Sequence, residues 1–269
     1  MSICKLLRRR GSRSSPSFIT MSSTSVLASW SPPTISNSGT TLDWTVSGGV
    51  VIAKTTINDP TFDFSGNSGT ANILVENANG LNTIGIYSLG LTALDISTNT
   101  TLDVLQCYDN SIASLDVSAN TALTTLSCAI NLLASLDVST NTALTNLFCH
   151  ANFLETLNIS ANTELETLYC YDNSLTDLDI SINTALITLK CYNNSIASLD
   201  VSTNTLISFL DCSGNNQSAS VTDQIFIDLD NNSVSNGILI IRNNRTSASD
   251  TARSNLITKG WSIYDTYTS

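Results

Sequence analysis

Residues 144–164, with the sequence LTNLFCHANFLETLNISANTE, decide the fold, because residues 165–185 repeat their pattern as LETLYCYDNSLTDLDISINTA. Each copy reads L-x-x-L-x-C-x-x-N-x-[LI]-x-x-L-[DN]-[VI]-S-x-N-T-x. The cysteines mark a constant step of 21 residues: Cys107, Cys128, Cys149, Cys170, Cys191 and Cys212. A degenerate copy begins at Leu81 and a degraded copy at Ile207. Self-similarity at a fixed period predicts a stack of structural repeats.

The spacing of the apolar positions predicts how the repeats stack. One repeat cannot bury its own apolar edge, whereas coils about 4.8 Å apart would pair successive strands and align identical side chains. A helix of about 10 residues does not fit between the Asn and the next repeat. We therefore expect a solenoid of about six to seven coils over residues 81–217, mainly parallel β with short turns.

The motif L-x-x-L-x-C-x-x-N resembles the leucine-rich repeat family, over roughly half of the chain. The 21-residue repeat is short for that family. Its second half nearly repeats the spacing of the first, which is similar to the bacterial and viral variants with extended chain on both sides of each coil. The resemblance implies a leucine-rich-repeat solenoid that presents a binding surface.

The cysteine column is predicted to pack in the core. A free Cys behaves as a small buried hydrophobe, the parallel Cβ vectors of stacked coils suit a disulfide poorly, and a step of one whole repeat between cysteines is no metal-ligand spacing. We expect no metal and no cofactor. The seventh cysteine, Cys4, has no evident partner.

Two polar columns are predicted to organise the turns. The first should satisfy backbone groups after each strand, and comprises Asn110, Asn131, Asn152, Asn173, Asn194 and Asn215. The second should accept backbone N–H groups in Asx turns, with a row of calcium sites as the alternative. It comprises Asp95, Asp116, Asp137, Asn158, Asp179 and Asp200.

The positions that vary between copies predict where a ligand could bind. Residues that flank an inward Cys point outward from a strand. The candidate binding face comprises Tyr108, Asp109, Phe148, His150, Tyr169, Tyr171, Asp172, Lys190, Tyr192 and Asn193. Aromatic rings beside acids and amides suit a sugar ring or a protein. The alternative is that these rings only shield the sheet by cross-strand packing.

Catalysis has little support in the sequence. The chain has a single His and lacks a nucleophile elbow, a phosphate loop and a metal-ligand motif. Cys149 and His150 are adjacent, but alternation points one inward and the other outward. We therefore predict a non-enzymatic protein.

The charge is unevenly distributed. Residues 1–13 hold five basic residues and no acid, and the remaining 256 residues carry 6 basic and 22 acidic groups. An acidic body repels nucleic acid and anionic membranes. The basic arm could anchor the protein to an acidic partner or remain a solvated tail; it contains Lys5, Arg8, Arg9, Arg10 and Arg13.

The ends are predicted to attach and close the solenoid. Residues 1–36 are expected to be a basic, Ser-rich arm and linker, and residues 37–80 a β-rich cap with strands at 41–46, 50–55, 61–64 and 71–76. Residues 218–269 should form an α/β cap, with helices at 221–230 and 249–259 and strands at 237–242 and 261–264. We expect neither an ordinary amino-terminal signal nor a membrane span.

Both ends also resemble virion proteins. Residues 220–244, SVTDQIFIDLDNNSVSNGILIIRNN, followed by ARSNLITKGWSI at 252–263, are similar to the closing segments of structural proteins of tailed phages. The opening LLRRRGSRSSPSF at 6–18 is similar to the Arg-Gly-Ser starts of such proteins. The resemblance implies a virion-associated adhesion or decoration protein, with the arm bound to other virion proteins and the repeats presented to host glycan or protein. Homo-oligomers are compatible with this role.

Two other interpretations remain open at this point. One is a bacterial cell-surface or extracellular repeat protein for protein–protein interaction. The other is a purely structural spacer without a ligand.

Overall fold

The computed structural model describes five strands near the amino terminus, residue 87, residues 91–97 and residues 99–265. The five strands are β1 (Ser17–Ser23), β2 (Thr34–Ser36), β3 (Asp43–Ser47), β4 (Ala71–Asn77) and β5 (Thr83–Gly85). The basic arm and Cys4 lie outside the described residues, as do the strands predicted at 50–55 and 61–64.

A parallel sheet forms one side of the solenoid. Each coil contributes a short strand, and successive strands pair in register one repeat apart, as Leu168 does with Leu147 and Leu189. The strands are β7 (Val104–Gln106), β8 (Thr125–Ser127), β9 (Asn146–Phe148), β10 (Thr167–Tyr169), β11 (Thr188–Lys190) and β12 (Phe209–Asp211). Within the described residues, β5 and the antiparallel β2 extend this sheet at one end, and two later strands extend it at the other.

The core is one continuous set of aligned apolar side chains. The Leu, Ile and Val positions of the repeat are buried in every coil from Leu102 onward, and all six cysteines of the column are fully buried. Each coil buries the same positions as its neighbours, so stacking removes the apolar surface that a single coil would expose. The six cysteines form one inward column of free thiols.

The second side of each coil is extended chain without a second sheet. From β7 to β12, successive coils are joined there by single backbone bonds, such as those from Leu132 N to Ile112 O (2.9 Å) and from Phe153 N to Leu133 O (2.9 Å). In the first described coil the equivalent segment forms β6 (Leu91–Asp95), which pairs antiparallel with β1. This segment therefore joins a four-stranded sheet in the order β3-β4-β1-β6.

The prediction of a linker over residues 1–36 was wrong for two segments. β1 and β2 lie in it, and β1 is an interior strand between β4 and β6. Ser and Thr were interpreted as linker residues, but such residues are compatible with strands once neighbouring strands supply backbone hydrogen bonds. The two strands cover the first edges of both sheets, where open backbone groups would otherwise invite pairing with another chain.

The carboxyl-terminal segment closes the other end of the stack. It comprises helix α1 (Ala219–Asn231), strand β13 (Ile238–Ile241), a 3₁₀ turn (Ser247–Ser249), helix α2 (Asp250–Thr258) and strand β14 (Ser262–Asp265). These elements coincide, within a few residues, with the predicted helices and strands. β13 and β14 continue the parallel sheet, and α1 buries Ile225, Phe226 and Leu229 completely.

Local signals fix both helices of this cap. The Ser218 side chain accepts a hydrogen bond from Val221 N at the start of α1, as expected of an N-cap. Gly260, with φ +85°, ends the α2 segment. Ser249 stands at the N-cap position of α2, but its side chain makes no capping bond, and its hydroxyl donates to Asp223 instead.

Candidate binding face

The outer side of the sheet positions the predicted ligand residues. In each strand from β7 to β12 the central Leu is buried and its two neighbours are half-buried. The parallel register places Ser127, Phe148, Tyr169 and Lys190 side by side on successive strands. The residues that follow each Cys form a second column beside them, with the members Tyr87, Tyr108, Ala129, His150, Tyr171, Tyr192 and Ser213.

Five rings on this side form one contiguous set, which we call the aromatic cluster: Phe148, His150, Tyr169, Tyr171 and Tyr192. Tyr171 stacks on both sides, with ring centroids 4.2 Å from His150 and 4.3 Å from Tyr192. Phe148 meets the edge of Tyr169 at 5.0 Å and 79°, and Tyr169 lies 6.2 Å from Tyr171. The rings are half-buried, since they partly cover each other.

Tyr108 lies apart from this cluster. Its ring stacks on Tyr87 at 4.5 Å and 7°, and the buried Ala129 occupies the position between Tyr108 and His150. The expectation of one shared patch therefore holds for five of the six predicted rings. Sequence reasoning missed Tyr87, although its position one repeat before Tyr108 was a readable signal.

The Lys190 ammonium group lies over two aromatic rings. Its Nζ lies 4.4 Å from the centroid of Tyr169 and 5.0 Å from that of Phe209. A cation over an aromatic face is attracted by the ring quadrupole. Lys190, in the same coil as Tyr192, therefore connects the aromatic cluster to Phe209 in the next coil.

The polar residues of the predicted face have a backbone role. Asp109, Asp172 and Asn193 stand at the turn after each strand, with φ between 52° and 56°. Asp and Asn tolerate this left-handed conformation better than other non-glycine residues. The Asn193 Nδ2 donates to Asp172 Oδ1 at 2.8 Å. Turn geometry alone accounts for these three residue types, so their presence does not by itself indicate a ligand.

The aromatic cluster is uncharged near neutral pH. Burial lowers the pKa of His150, and Lys190 adds to this effect while Asp172 opposes it. Burial also raises the pKa of Tyr171 and Tyr192 above the usual phenol value. The ring surface therefore offers neutral aromatic edges and phenol hydroxyls.

Cys149 and His150 do not form a catalytic pair. Cys149 is fully buried, and burial, with the neighbouring Cys170 and Cys128, raises the pKa of its thiol well above the usual value. His150 lies on the outer side of the sheet. A thiol that stays protonated is a poor nucleophile.

The first asparagine column holds the turns together. The Asn131 Oδ1 accepts from Ile112 N of the preceding coil at 3.0 Å. Its Nδ2 donates to the carbonyl oxygens of Cys107, Cys128 and Ala129. The Oδ1 atoms of the other members of the column accept equivalent backbone bonds: Asn110, Asn152, Asn173, Asn194 and Asn215.

A second buried asparagine column lies at the opposite turn. The Asn120 Nδ2 donates to Ile96 O and Asn99 O of the preceding coil, at 3.1 and 2.8 Å, and the bonds recur at Asn141, Asn162, Asn183 and Asn204. The Oδ1 atoms of these side chains are buried without a partner. This Asn belongs to the Asn-Thr pair of the repeat, but its contacts at the turn were not predicted.

The acidic column forms the predicted Asx turns. Asp116 Oδ1 accepts from Ser118 N at 2.9 Å. Hydrogen bonds from the Ser118 side chain and from its backbone N–H lower the pKa of the exposed Asp116 carboxyl. Asp137, Asp179 and Asp200 each accept from the residue two positions later in the same way. Within the described residues, no three His, Cys, Asp or Glu side chains are grouped to hold a metal ion.

Comparisons with solved structures identify the fold. The chain is similar to the leucine-rich-repeat domain of a Shigella effector, at 23% identity and TM-score 0.55 over 68% of this chain and 81% of that one. It is also similar to the leucine-rich-repeat protein LIC12759 of Leptospira interrogans, at 21% identity and TM-score 0.54 over 63% of this chain and 44% of that one. The protein is therefore a leucine-rich-repeat solenoid.

A third similarity has a lower TM-score. The functional domain of InlJ from Listeria monocytogenes, which includes a cysteine ladder, is 25% identical with a TM-score of 0.39. The alignment covers 69% of this chain and 53% of the InlJ chain, so this chain spans about half of that relative. No protein family and no curated protein matches the sequence. None of the helices in the described residues has the length and apolarity that crossing a bilayer requires.

Proposed function

We propose that the protein is a non-enzymatic, virion-associated adhesion or decoration protein whose aromatic cluster binds a glycan or a protein on the host surface. One observation carries the proposal: five rings gather on one side of coils whose buried positions are nearly identical. Residues that only maintain the solenoid repeat from coil to coil, whereas the positions beside the cysteines change. Variation among the exposed positions of a repeat scaffold is typical of a binding surface.

The virion assignment rests on the sequence ends. The similarity of residues 220–244 and 6–18 to virion proteins of tailed phages supports it, and the basic arm would attach the protein to other virion components. Mass spectrometry of purified particles tests this part. Absence of the protein from particles, together with its presence on bacterial envelopes, would favour the cell-surface alternative.

The double variant Tyr171→Ala/Tyr192→Ala tests the binding face. Each truncation removes one ring of the His150–Tyr171–Tyr192 stack, and we expect about tenfold weaker binding of the fluorescently labelled protein to whole cells of the bacterium on which the particles grow. Tyr108→Ala is the matched control, because it stands in the same column and stacks in the same way outside the aromatic cluster. Circular dichroism checks the fold of each variant. Equal binding by the folded double variant and the control would remove the adhesion role.

The mutual stacking of the rings favours a spacer as the second candidate. The faces of Tyr171 are covered by His150 and Tyr192, at interplanar angles of 18° and 11°. Such pairs stabilise a sheet without any ligand. A spacer predicts that Tyr171→Ala lowers the free energy of unfolding while binding to cells is unaffected.

A further inference from the structure

Three large apolar side chains stand exposed at one edge of the second and third coils of the regular stack. The exposed fraction is 48% for Ile130, 46% for Leu132 and 59% for Phe153. Phe153 N bonds to Leu133 O, which places Leu132 and Phe153 in adjacent coils at the same level. Ile130, Leu132 and Phe153 are called the apolar patch below.

The apolar patch departs from the repeat at each of its positions. The column of Leu132 and Phe153 holds polar residues in the other coils, Ser111, Ser174, Ser195 and Asn216. The column of Ile130 holds Asp109, Ala151, Asp172, Asn193 and Gly214. Coil stacking therefore does not require an apolar residue at either position.

Ile130 also stands in an unfavourable conformation. Its φ is +53°, and a β-branched residue fits the left-handed region poorly. The half-exposed side chain gains little burial in return. A residue that adopts an unfavourable backbone conformation without a compensating contact indicates that this surface has a role other than the stacking of coils.

The charge of the surrounding surface determines which kind of partner can bind the apolar patch. Residues 81–217 contain 13 acidic residues and one lysine, and Asp109, Glu155 and Asp172 lie exposed in the same or neighbouring coils. Two copies that met patch to patch would bring like charges together. The complementary partner is a segment with apolar side chains flanked by basic ones.

The chain itself contains such a segment. Residues 3–10 read ICKLLRRR, in which Leu6 and Leu7 stand between Lys5 and three arginines. We propose that residues 3–10 of one copy dock on the apolar patch of a second copy. This inference rests on the proposed function of the arm as an attachment segment, and it names the acidic surface that the arm binds.

The direction of β1 leads away from the apolar patch of the same chain, so an arm that docked on its own chain would have to turn back along β6. Thr20 pairs with Asp95 and Ser23 with Leu91, so the chain that precedes β1 leaves at the Asp95 end of β6. The apolar patch lies in line with the opposite end, because Ser111 N bonds to Leu91 O and Leu132 N bonds to Ile112 O. Because arm and patch are different surfaces, the contact is heterologous and leaves one of each free for further copies.

Light scattering after size exclusion of the full chain tests the proposal. We expect a mass that rises with protein concentration and falls toward the monomer when salt is raised from about 0.05 to 0.5 M, since screening weakens contacts between opposite charges. Leu132→Ser/Phe153→Ser introduces the residue that other coils carry and should weaken self-association about tenfold. Ser174→Ala, in the same column, is the control. A monomer at every concentration, or equal association of both variants, overturns the proposal.

Two further measurements separate the patch from general misfolding. Ile130→Asn places at this turn the residue type found at Asn193, so it should raise the thermal midpoint while it weakens self-association. A labelled peptide of residues 1–13 should bind the full chain, and the same peptide with Leu6 and Leu7 changed to Ser, at unchanged charge, should bind about tenfold more weakly. Equal binding of the two peptides would mean that charge alone acts and would overturn the docking.

These outcomes are distinguishable from failure of the proposed function. Variants of the apolar patch leave the aromatic cluster intact, so cell binding that depends on Tyr171 and Tyr192 should be unchanged. Loss of cell binding with normal self-association would implicate the aromatic cluster alone. Self-association that depends on residues 3–10 but not on the apolar patch would place the arm elsewhere and overturn this inference.

Discussion

At the residue scale, burial makes the thiols of the cysteine column unreactive. The six side chains have no exposed surface, and burial raises the pKa of Cys128, Cys170 and Cys212 to about 12. The thiolate, which is the reactive form, is therefore nearly absent from the folded protein at neutral pH. The column acts as a row of small apolar side chains.

Alkaline pH should destabilise the fold through these thiols. An unfolded Cys loses its proton above about pH 8.5, whereas Cys170 keeps its proton up to about pH 12 in the fold. Unfolding therefore releases protons between these values, and each thiol lowers stability by up to about 1.4 kcal/mol per pH unit. Urea unfolding of Cys170→Ala should show a shallower loss than the parent between about pH 9 and 10. Parallel pH profiles would contradict the prediction.

Asn152 should be among the most costly polar residues to replace. Its side chain accepts from Leu133 N and donates to Cys128 O and Cys149 O. Asn152→Ala would leave these buried backbone groups unpaired, and we expect a loss of about 3 kcal/mol in the free energy of unfolding. Ser174→Ala, at an exposed position, should change it by less than about 0.5 kcal/mol. Similar losses in both variants would contradict the role of the column.

The roles of residues were predictable from the sequence at positions where the same residue type recurs in every repeat. The Cys and Asn columns recur once in every repeat, so their inward positions follow from the period. The left-handed turn after each strand was not recognised, because Ile130 and Ala151 occupy it as well as Asp and Asn. As a result, Asp109, Asp172 and Asn193 were interpreted only as ligand residues. Which rings touch, and how Ala129 separates them, depends on side-chain geometry that spacing does not specify.

At the element scale, a polar network holds the carboxyl-terminal cap together. Asp223 on α1 accepts hydrogen bonds from Thr246 and Ser249. Asp265 on β14 pairs with Arg253 on α2 and with Arg245. Lys259, which follows α2, pairs with Asp230 on α1. The network connects both helices to the last strand and keeps the end of the core covered.

Replacement of Asp223 should loosen the cap without disturbing the coils. Burial raises the pKa of Asp223, but hydrogen bonds from Ser249 and Thr246 and the charge of Arg245 outweigh this and leave the pKa below the usual value. The stability that this carboxylate contributes is present above about pH 4 and is lost as pH falls. Asp223→Ala should cost about 2 kcal/mol at pH 7.

Hydrogen exchange can show which part of the protein is loosened by Asp223→Ala. Amides of α1 should exchange faster in Asp223→Ala, while those of β9 and β10 keep their protection. Ser233→Ala, at an exposed position of the same cap, is the control. Uniform acceleration along the whole chain would show that the cap does not open separately.

The elements of the cap were predictable because helical and alternating spacing survive there without the repeat. β1 was not, because its sequence, SFITMSS, was interpreted by composition as part of a linker. Its position between β4 and β6 depends on pairing with strands far along the chain. Such pairing is set by tertiary context that local propensity does not contain.

At the scale of the whole molecule, the stack should tolerate the loss of one complete coil. In a solenoid each coil contacts mainly its neighbours, so stability is close to a sum over coils and interfaces. Deletion of residues 123–143 removes one whole repeat and joins coils whose bonding positions still match. We expect a cooperative unfolding transition with a lower free energy and a smaller denaturant dependence.

The same deletion should also change the aromatic side of the sheet. It removes Ala129 and brings Tyr108 next to His150, so the two separate stacks should merge, with a stronger near-ultraviolet circular dichroism per ring. Deletion of residues 123–142, one residue fewer, is the control, because it shifts the columns after the deletion by one residue relative to the columns before it. Equal stability of the two deletion variants would contradict the stacking of equivalent positions.

The second asparagine column gives the molecule a polarity. Every Nδ2 from Asn120 to Asn204 reaches back to carbonyl groups of the coil before it, and no Oδ1 of these five reaches forward. Each finished coil thus offers carbonyl oxygens to which the Asn side chain of its successor donates a further hydrogen bond. Because the ribosome synthesises the coils in that order, the stack can grow during translation. Each newly synthesised coil can form these hydrogen bonds with the coil that folded before it.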